Sequence, residues 1–392
     1  MKLGLFGGTF NPIHNGHLAL LHRMKQALSL DRVLVIPAAA PPHKDGADVV
    51  CGEHRLAMCR LAVEGMDGVE VSDLELSRGG KSYTADTLHA IDSLYPQDEC
   101  YLLVGGDSLL TLESWNRAEE IRRLCTVAAM AREPGEEAAL LKQSEHLNAA
   151  GWQTVVVSGE PIVTSSTAYR QGETQELPGA VADYIAQNGL YGQQVRIPVD
   201  LDELTSYLRA NLSQKRFSHT LNVASEAIRL AKKYGEDGHL AYLAGLLHDV
   251  CKELPKEEHW ALIAHEPAAE EAAFQKSPSV WHGFAAAVFA RREFSVQNIA
   301  ILNAVRYHTT GRGEMSRLEE IVYMADLICA GRDFPGVEAL RAKAYVSLEA
   351  ALLESFSFSI GDLAKNGRPV LLDTVKAYDR YALGVPAREE EA

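Results

Sequence analysis

Leu3-Gly4-Leu5-Phe6-Gly7-Gly8-Thr9-Phe10-Asn11-Pro12-Ile13-His14-Asn15-Gly16-His17, residues 3–17, is an apolar run that stops at a glycine pair and then presents two histidines three residues apart. A strand, a glycine turn and a helix carrying both imidazoles in its first turn satisfy that pattern. Backbone N–H groups at a helix start, with imidazoles beside them, suit an anion such as the triphosphate of a nucleotide. Taken alone, two histidines at i and i+3 also read as a polar helix edge, and a Gly-Gly pair as a simple turn.

Working outward, further β-rich runs alternate with helical patterns up to about residue 192. Leu3–Phe6, Arg32–Pro37, Val69–Leu74, Cys100–Val104, Thr126–Ala131 and Thr154–Val157 read as strands. Strand and helix alternating in this way predict an α/β doubly wound parallel sheet with helices on both faces. Ligands of such sheets sit at the carboxyl ends of strands, where Gly7, Gly8, Thr9, Phe10 and Asp107 all fall.

Past Leu190-Tyr191-Gly192 the pattern changes to helical spacing throughout, as in Leu221, Ala224, Ala227, Ile228 and Ala231, or Leu243, Leu246, Leu247 and Val250. The second half is therefore expected to be all-α. The division reads as residues 1–192, a linker at 193–199, a helical domain at 200–387 and a solvated tail at 388–392.

A chain of 392 residues is long enough for two cores. Its formal net charge is −15, with 16 basic against 25 acidic residues up to Arg196 and 22 against 28 after it. Neither half offers a surface for extended nucleic acid, whereas a small phosphorylated ligand held by a few local cations fits. No apolar run is long enough to cross a bilayer, and the start of the chain offers no secretory layout, so no membrane partner and a cytoplasmic setting are expected. The six cysteines show no metal-finger spacing and read as reduced, buried thiols. An oligomer is compatible with this composition.

Other stretches add polar groups to the first half. Pro41-Pro42-His43-Lys44 puts a cation on a stiff loop after the second strand, and Ser165-Ser166-Thr167-Ala168-Tyr169-Arg170 reads as a hydroxyl-rich helix start followed by an arginine. With His14-Asn15-Gly16-His17, Arg55-Leu56-Ala57-Met58, Ser82-Tyr83-Thr84-Ala85-Asp86-Thr87-Leu88 and Gly105-Gly106-Asp107, they resemble the bacterial nicotinate-nucleotide adenylyltransferases, members of the Rossmann-like nucleotidyltransferase superfamily. The resemblance implies transfer of AMP from ATP, accompanied by Mg²⁺, to nicotinate mononucleotide, giving deamido-NAD and pyrophosphate. It assigns His14 and His17 to the ATP phosphates, Lys44, Ser166 and Arg170 to the rest of the anion clamp, and Thr84 and Trp115 to the pyridine ring. Asp107 would bind near the nucleotide. Gly106, Thr164 and Tyr169 depart from the residues usual at their places. Adenylylation of another acceptor such as phosphopantetheine is the competing reading, against which Trp115 and the Ser82–Leu88 segment point to a flat aromatic acceptor.

In the helical half, Arg216 with His219, then His248-Asp249, His282, His308 and Asp326, recur at helix-length intervals. Adjacent residues on a helix point about 100° apart, so His248 and Asp249 both reach a metal only if other helices complete its shell. Nitrogen and carboxylate donors suit iron, manganese or zinc. One aspartate shared by two ions would permit a hydroxide held for attack on phosphorus. Together with His248-Asp249-Val250-Cys251-Lys252, Trp281-His282-Gly283, His308-Thr309-Thr310-Gly311, Met324-Ala325-Asp326 and Arg332, this series resembles the HD-domain symmetrical diadenosine tetraphosphate hydrolases. The resemblance implies iron, one ion or two, and cleavage of diadenosine tetraphosphate to two ADP. It makes His219, His248, Asp249 and Asp326 metal ligands, His282 and His308 second-metal ligands or phosphate contacts, and Arg216, Lys252 and Arg332 phosphate-binding cations. A guanosine alarmone or a deoxynucleotide as substrate, or a nucleotide sensor without turnover, remain alternatives for this half.

Overall fold

In the computed structural model, residues 1–39, 49–131, 135–159 and 165–384 are described, and they form two compact units, residues 1–185 with 190–193 and residues 186–189 with 194 onward. Lys44, Thr164 and the tail expected at 388–392 lie outside the described residues.

The first unit is built on six parallel strands, β1 (Lys2–Gly8), β2 (Arg32–Pro37), β3 (Val69–Val71), β4 (Glu99–Gly105), β5 (Thr126–Met130) and β6 (Thr154–Val157). Their order is β3-β2-β1-β4-β5-β6, so successive crossovers leave β1 in opposite directions and a crevice opens at the carboxyl ends of β1 and β4. Residue alternation splits the apolar side chains between two layers. Leu3, Leu5, Leu34, Ile36, Leu102 and Val104 face one side, packing with Leu88 and Leu112, and Phe6, Val33, Val35 and Leu103 face the other with Leu21, Met24 and Met58. Each such side chain contributes roughly 1.5–3 kcal/mol by leaving water. The third strand is shorter than the run Val69–Leu74 suggests. Ser72 N–H still bonds Val35 O, after which Ser72 Oγ accepts from Leu74 N–H and the chain turns into the short helix Leu74–Arg78.

The second unit is helical. Its long helix Gln214–Tyr234 starts at Ser213, whose Oγ accepts from Arg216 N–H, and stops at Gly235 in the left-handed region, φ 74°. The face it buries carries Val223, Ala224, Ala227, Leu230 and Ala231, while Ile228 is exposed and Leu221 half-buried. The apolar stripe thus lies to one side of the one expected, because the partner helices Gly238–Leu247 and Arg317–Ile328 pack where the smaller side chains allow closer approach. Leu243, Leu246, Leu247 and Val250 are all buried as their spacing predicts. Within the expected linker, Arg196 N–H donates to Ala186 O, so that stretch is tied down rather than free. Among the described residues no helix is long and apolar enough to cross a membrane.

Candidate functional site

At the carboxyl ends of β1 and β4 the first unit holds a cavity of about 550 Å³. Gly7, Gly8, Thr9 and Phe10, both histidines of the opening motif, Thr84, Asp107, Trp115 and Ser166 all line it. The helix Asn15–Ala27 begins at His14, and its first turn stacks the His14 and His17 rings with centroids 3.7 Å apart. His14 N–H donates to His17 Nδ1 at 3.2 Å, so the proton of a neutral His17 ring sits on Nε2, where it can be donated. Phe10 meets the His17 ring edge-on at 5.1 Å and restricts its rotation.

Ser166 lines the cavity and also donates through Oγ to Pro12 O at 2.8 Å. Arg170 does not line it. Its guanidinium donates to Asn11 O at 2.7 Å and Thr167 Oγ1 at 3.3 Å, an arrangement that braces the loop ahead of the histidines. Two residues of this region escaped sequence reasoning in their roles. Glu75 is buried at the cavity wall, where Oε1 accepts from Thr87 Oγ1 at 2.6 Å. Arg55, 1% exposed, donates to Thr9 O, Ala39 O and Val50 O at 2.9, 3.2 and 3.0 Å. It fastens the segments after β1 and β2 from beneath, and burial lowers its pKa. No local pattern marks a side chain whose partners are carbonyls distant in sequence.

In the second unit, five helices deliver six side chains to one centre. His219 comes from Gln214–Tyr234, His282 from Trp281–Glu293 and Asp326 from Arg317–Ile328, while His308 follows Ile299–Arg306. The helix Gly238–Leu247 ends just before the adjacent pair, so His248 and Asp249 lie in its closing turns rather than within it. Val250 N–H reaches back to Leu247 O and Lys252 N–H to Asp249 O, a tightening that lets both neighbouring side chains turn to the same side.

Three overlapping groups have donor atoms close enough together to hold an ion: His219, His248 and Asp249; His248, His308 and Asp326; and Asp249, His282 and His308. Asp249 divides its oxygens between the first and the third, with Oδ2 3.3 Å from His248 Nε2 and Oδ1 3.3 Å from His282 Nε2. His219 Nε2 lies 2.9 Å from Asp326 Oδ1. His248 Nδ1 donates to Gly245 O at 2.6 Å and His308 Nδ1 to Val305 O at 2.7 Å, which turns both Nε2 lone pairs inward. His248 Nε2 and Asp249 Oδ1 are buried with no hydrogen-bond partner, as donor atoms meant for a cation would be.

Two glycines set this convergence. A Cβ at Gly245 would stand 2.6 Å from Ala224 Cα, and one at Gly283 would stand 2.8 Å from Arg306 O and 3.2 Å from the His308 ring. Only glycine lets the helices carrying His219 and His248, and those carrying His282 and His308, close to these separations.

Electrostatics agrees with ligation at His282 and His308, whereas Asp249 raises the His248 pKa. Burial lowers the His308 pKa to about 4, and burial with the nearby Lys252 charge holds His282 well below its ordinary value, leaving both imidazoles neutral. Burial would raise the Asp249 carboxyl, but the charges of His248 and Lys252 outweigh it and hold the group well below the carboxylate range. Of the cations expected to meet phosphate, Arg216 Nη1 donates to Asp249 Oδ2 at 2.7 Å, Arg332 pairs with Asp326, and Lys252 Nζ lies 2.9 Å from His282 Nε2. All three border the centre.

The cytidylyltransferase-like family model matches residues 5–172, and the HD domain model matches residues 216–331. A protein of Mycoplasma genitalium named as a probable nicotinate-nucleotide adenylyltransferase/Ap4A hydrolase is 28% identical over 83% of this chain and 86% of its own length. A probable nicotinate-nucleotide adenylyltransferase of Carboxydothermus hydrogenoformans is 38% identical over 48% of this chain and 98% of its own. The symmetrical bis(5'-nucleosyl)-tetraphosphatase of Bacillus subtilis is 37% identical over 47% of this chain and 98% of its own.

Proposed function

We infer, from a chain that belongs to the nicotinate-nucleotide adenylyltransferase family in its first half and to the HD-domain symmetrical bis(5'-nucleosyl)-tetraphosphatases in its second, that one polypeptide is a bifunctional enzyme. The first half transfers AMP from ATP to nicotinate mononucleotide, giving deamido-NAD and pyrophosphate. The second splits diadenosine tetraphosphate symmetrically into two ADP. The observation that carries the reading is that each unit owns a separate polar centre, the paired imidazoles of the strand-end cavity and the six-residue cluster among helices.

In the first centre, ATP enters with Mg²⁺ and lays its triphosphate against the Gly7–Phe10 segment. His14 and the Nε2–H of His17 meet the α-phosphate oxygens where negative charge grows, with Lys44 and Ser166 completing the anion clamp and Arg170 bracing the loop beneath it through Asn11 O. Thr84 and Trp115 hold the pyridine ring so that the acceptor phosphate attacks in line and pyrophosphate departs, and Asp107 binds beside the nucleotide. No side chain forms a covalent bond, so the work is orientation and charge neutralisation.

In the second centre, His219, His248, Asp249 and Asp326 would hold iron, and His282 and His308 would serve a second ion or the phosphate. The nitrogen and oxygen donor set supports iron, and suits manganese and zinc as well. A bound ion of this kind supplies Lewis acidity toward a phosphoryl oxygen. Arg216, Lys252 and Arg332 neutralise the polyphosphate as it arrives. The domain boundary is put at residues 193–199, a position supported by the compact units changing over at Gln193. Six free cysteines, of which Cys51 is exposed and Cys100 half-buried instead of buried as expected, support a cytoplasmic setting.

The test is product identification with the full chain, given nicotinate mononucleotide plus ATP in one vessel and diadenosine tetraphosphate in another. Deamido-NAD with pyrophosphate, and ADP alone, are the expected products. AMP plus ATP from the second vessel would refute symmetrical cleavage.

A further inference from the structure

The second unit contains another cavity, of about 500 Å³, whose wall includes His282 of the metal-ligand cluster and Lys252 at its border. Beyond those two its wall carries the cations Lys256, Lys276 and Arg368 and the hydroxyls of Ser277 and Ser279. Pro278, Leu254, Leu363 and Pro369 supply apolar surface. Among the described lining residues there is no aspartate or glutamate, although the chain as a whole has 53 acidic residues against 38 lysines and arginines. Arg368 also donates to Asp362 Oδ2 at 2.8 Å, a solvent-exposed pair that a competing phosphate can replace at little cost.

This combination has a chemical signature. Cations gathered in a concave wall raise the local potential for a polyanion, and flat apolar surface beside them accepts a nucleobase. A mononucleotide cut at the metal centre would need only that centre's own cations, Arg216, Lys252 and Arg332. A bridged dinucleotide brings a second phosphate pair and a second base that must lie somewhere adjacent, and Lys252 and His282 in its wall set this cavity beside the centre.

We propose that the cavity is the subsite for the second nucleoside diphosphate of the substrate, with Lys256, Lys276 and Arg368 gripping its phosphates and thereby selecting dinucleoside polyphosphates over mononucleotides. The proposal rests on the hydrolase reading given above. All three side chains are exposed residues outside the ligand set, so their replacement leaves the packed core untouched.

The experiment is steady-state hydrolysis of diadenosine tetraphosphate by the full chain, comparing wild type with the triple variant Lys256→Ala, Lys276→Ala, Arg368→Ala, with bound metal measured on both. The expected result is a KM raised by about tenfold or more, with kcat within about twofold and metal content unchanged. Restoring charge through Lys256→Arg and Lys276→Arg with Arg368→Lys should return KM toward the wild-type value. An unchanged KM in the alanine variant, a fall in kcat alone, or no recovery on restoring charge would overturn the subsite. If wild type releases no ADP from diadenosine tetraphosphate, the hydrolase reading itself falls and takes the subsite with it, an outcome distinct from an active enzyme indifferent to the three cations.

Discussion

The Nε2 atoms of His282 and His308 stand 3.1 Å apart, and they lie 3.3 and 3.7 Å from the same oxygen of Asp249. Since His308 gives its Nδ1 proton to Val305 O, its Nε2 presents a lone pair toward that meeting point. A carboxylate oxygen and imidazole lone pairs this close repel unless a proton or a cation lies among them. Asp249 is accordingly the residue on which both halves of the cluster depend.

Asp249→Ala should remove bound metal and lower ADP release from diadenosine tetraphosphate by more than about a hundredfold, since even outer-shell partners of metal ligands cost ten- to a hundredfold. Deamido-NAD formation should continue. Metal content by elemental analysis, read with both assays, checks it, and retained metal with normal turnover would contradict the shared-ligand role.

The pH dependence of stability follows from His308, whose pKa in the fold is about 4 against 6.5 for the free side chain. Between those values the unfolded chain binds the extra proton, so this group costs stability progressively as pH falls from 6.5 to 4. His248 works in the opposite sense, because Asp249 outweighs burial and raises its pKa. Thermal unfolding of chelator-treated protein should therefore show a steeper loss from pH 6.5 to 4 in wild type than in His308→Gln. Parallel curves would rule out a neutral buried His308.

Arg55→Ala removes three carbonyl contacts at once and leaves buried acceptors behind. The first unit should lose about 3 kcal/mol, and adenylyl transfer should fall with it while ADP release persists. Urea unfolding followed by a probe in the first unit gives the measure. Arg55→Lys, with a point charge in place of a fork, should recover only part of the loss.

His17→Ala deletes the oriented Nε2–H and should lower kcat of adenylyl transfer about a hundredfold, the scale of a lost oxyanion donor, with a smaller change in the KM for ATP. Trp115→Ala should do the reverse for the acceptor, raising the KM for nicotinate mononucleotide about tenfold with little change for ATP. Equal effects of the two substitutions on both substrates would argue against these roles.

The strands were legible in the sequence because buried parallel strands are short apolar runs ended by glycine or proline, as at Phe6-Gly7 and Ile36-Pro37. The convergence of histidines and aspartates was legible because six of them recur at helical intervals. What stayed hidden depends on partners far along the chain. Arg170 and Arg55 look alike as isolated arginines, yet both hold loop carbonyls in place, and nothing local distinguishes that duty from gripping a phosphate. Ile228 likewise fits the helical period of its neighbours, and only the approach of other helices decides that it faces water.

The near-contact of Gly245 with the Ala224 backbone carries a consequence for chemical identity rather than for packing alone. Metal–ligand distances hold to within about 0.2 Å of their ideal values, less than the shift a single methyl at Gly245 would force between two abutting helices. The fit of this centre to any one element would therefore be adjustable from behind, by residues that never touch an ion, while every donor atom keeps its name.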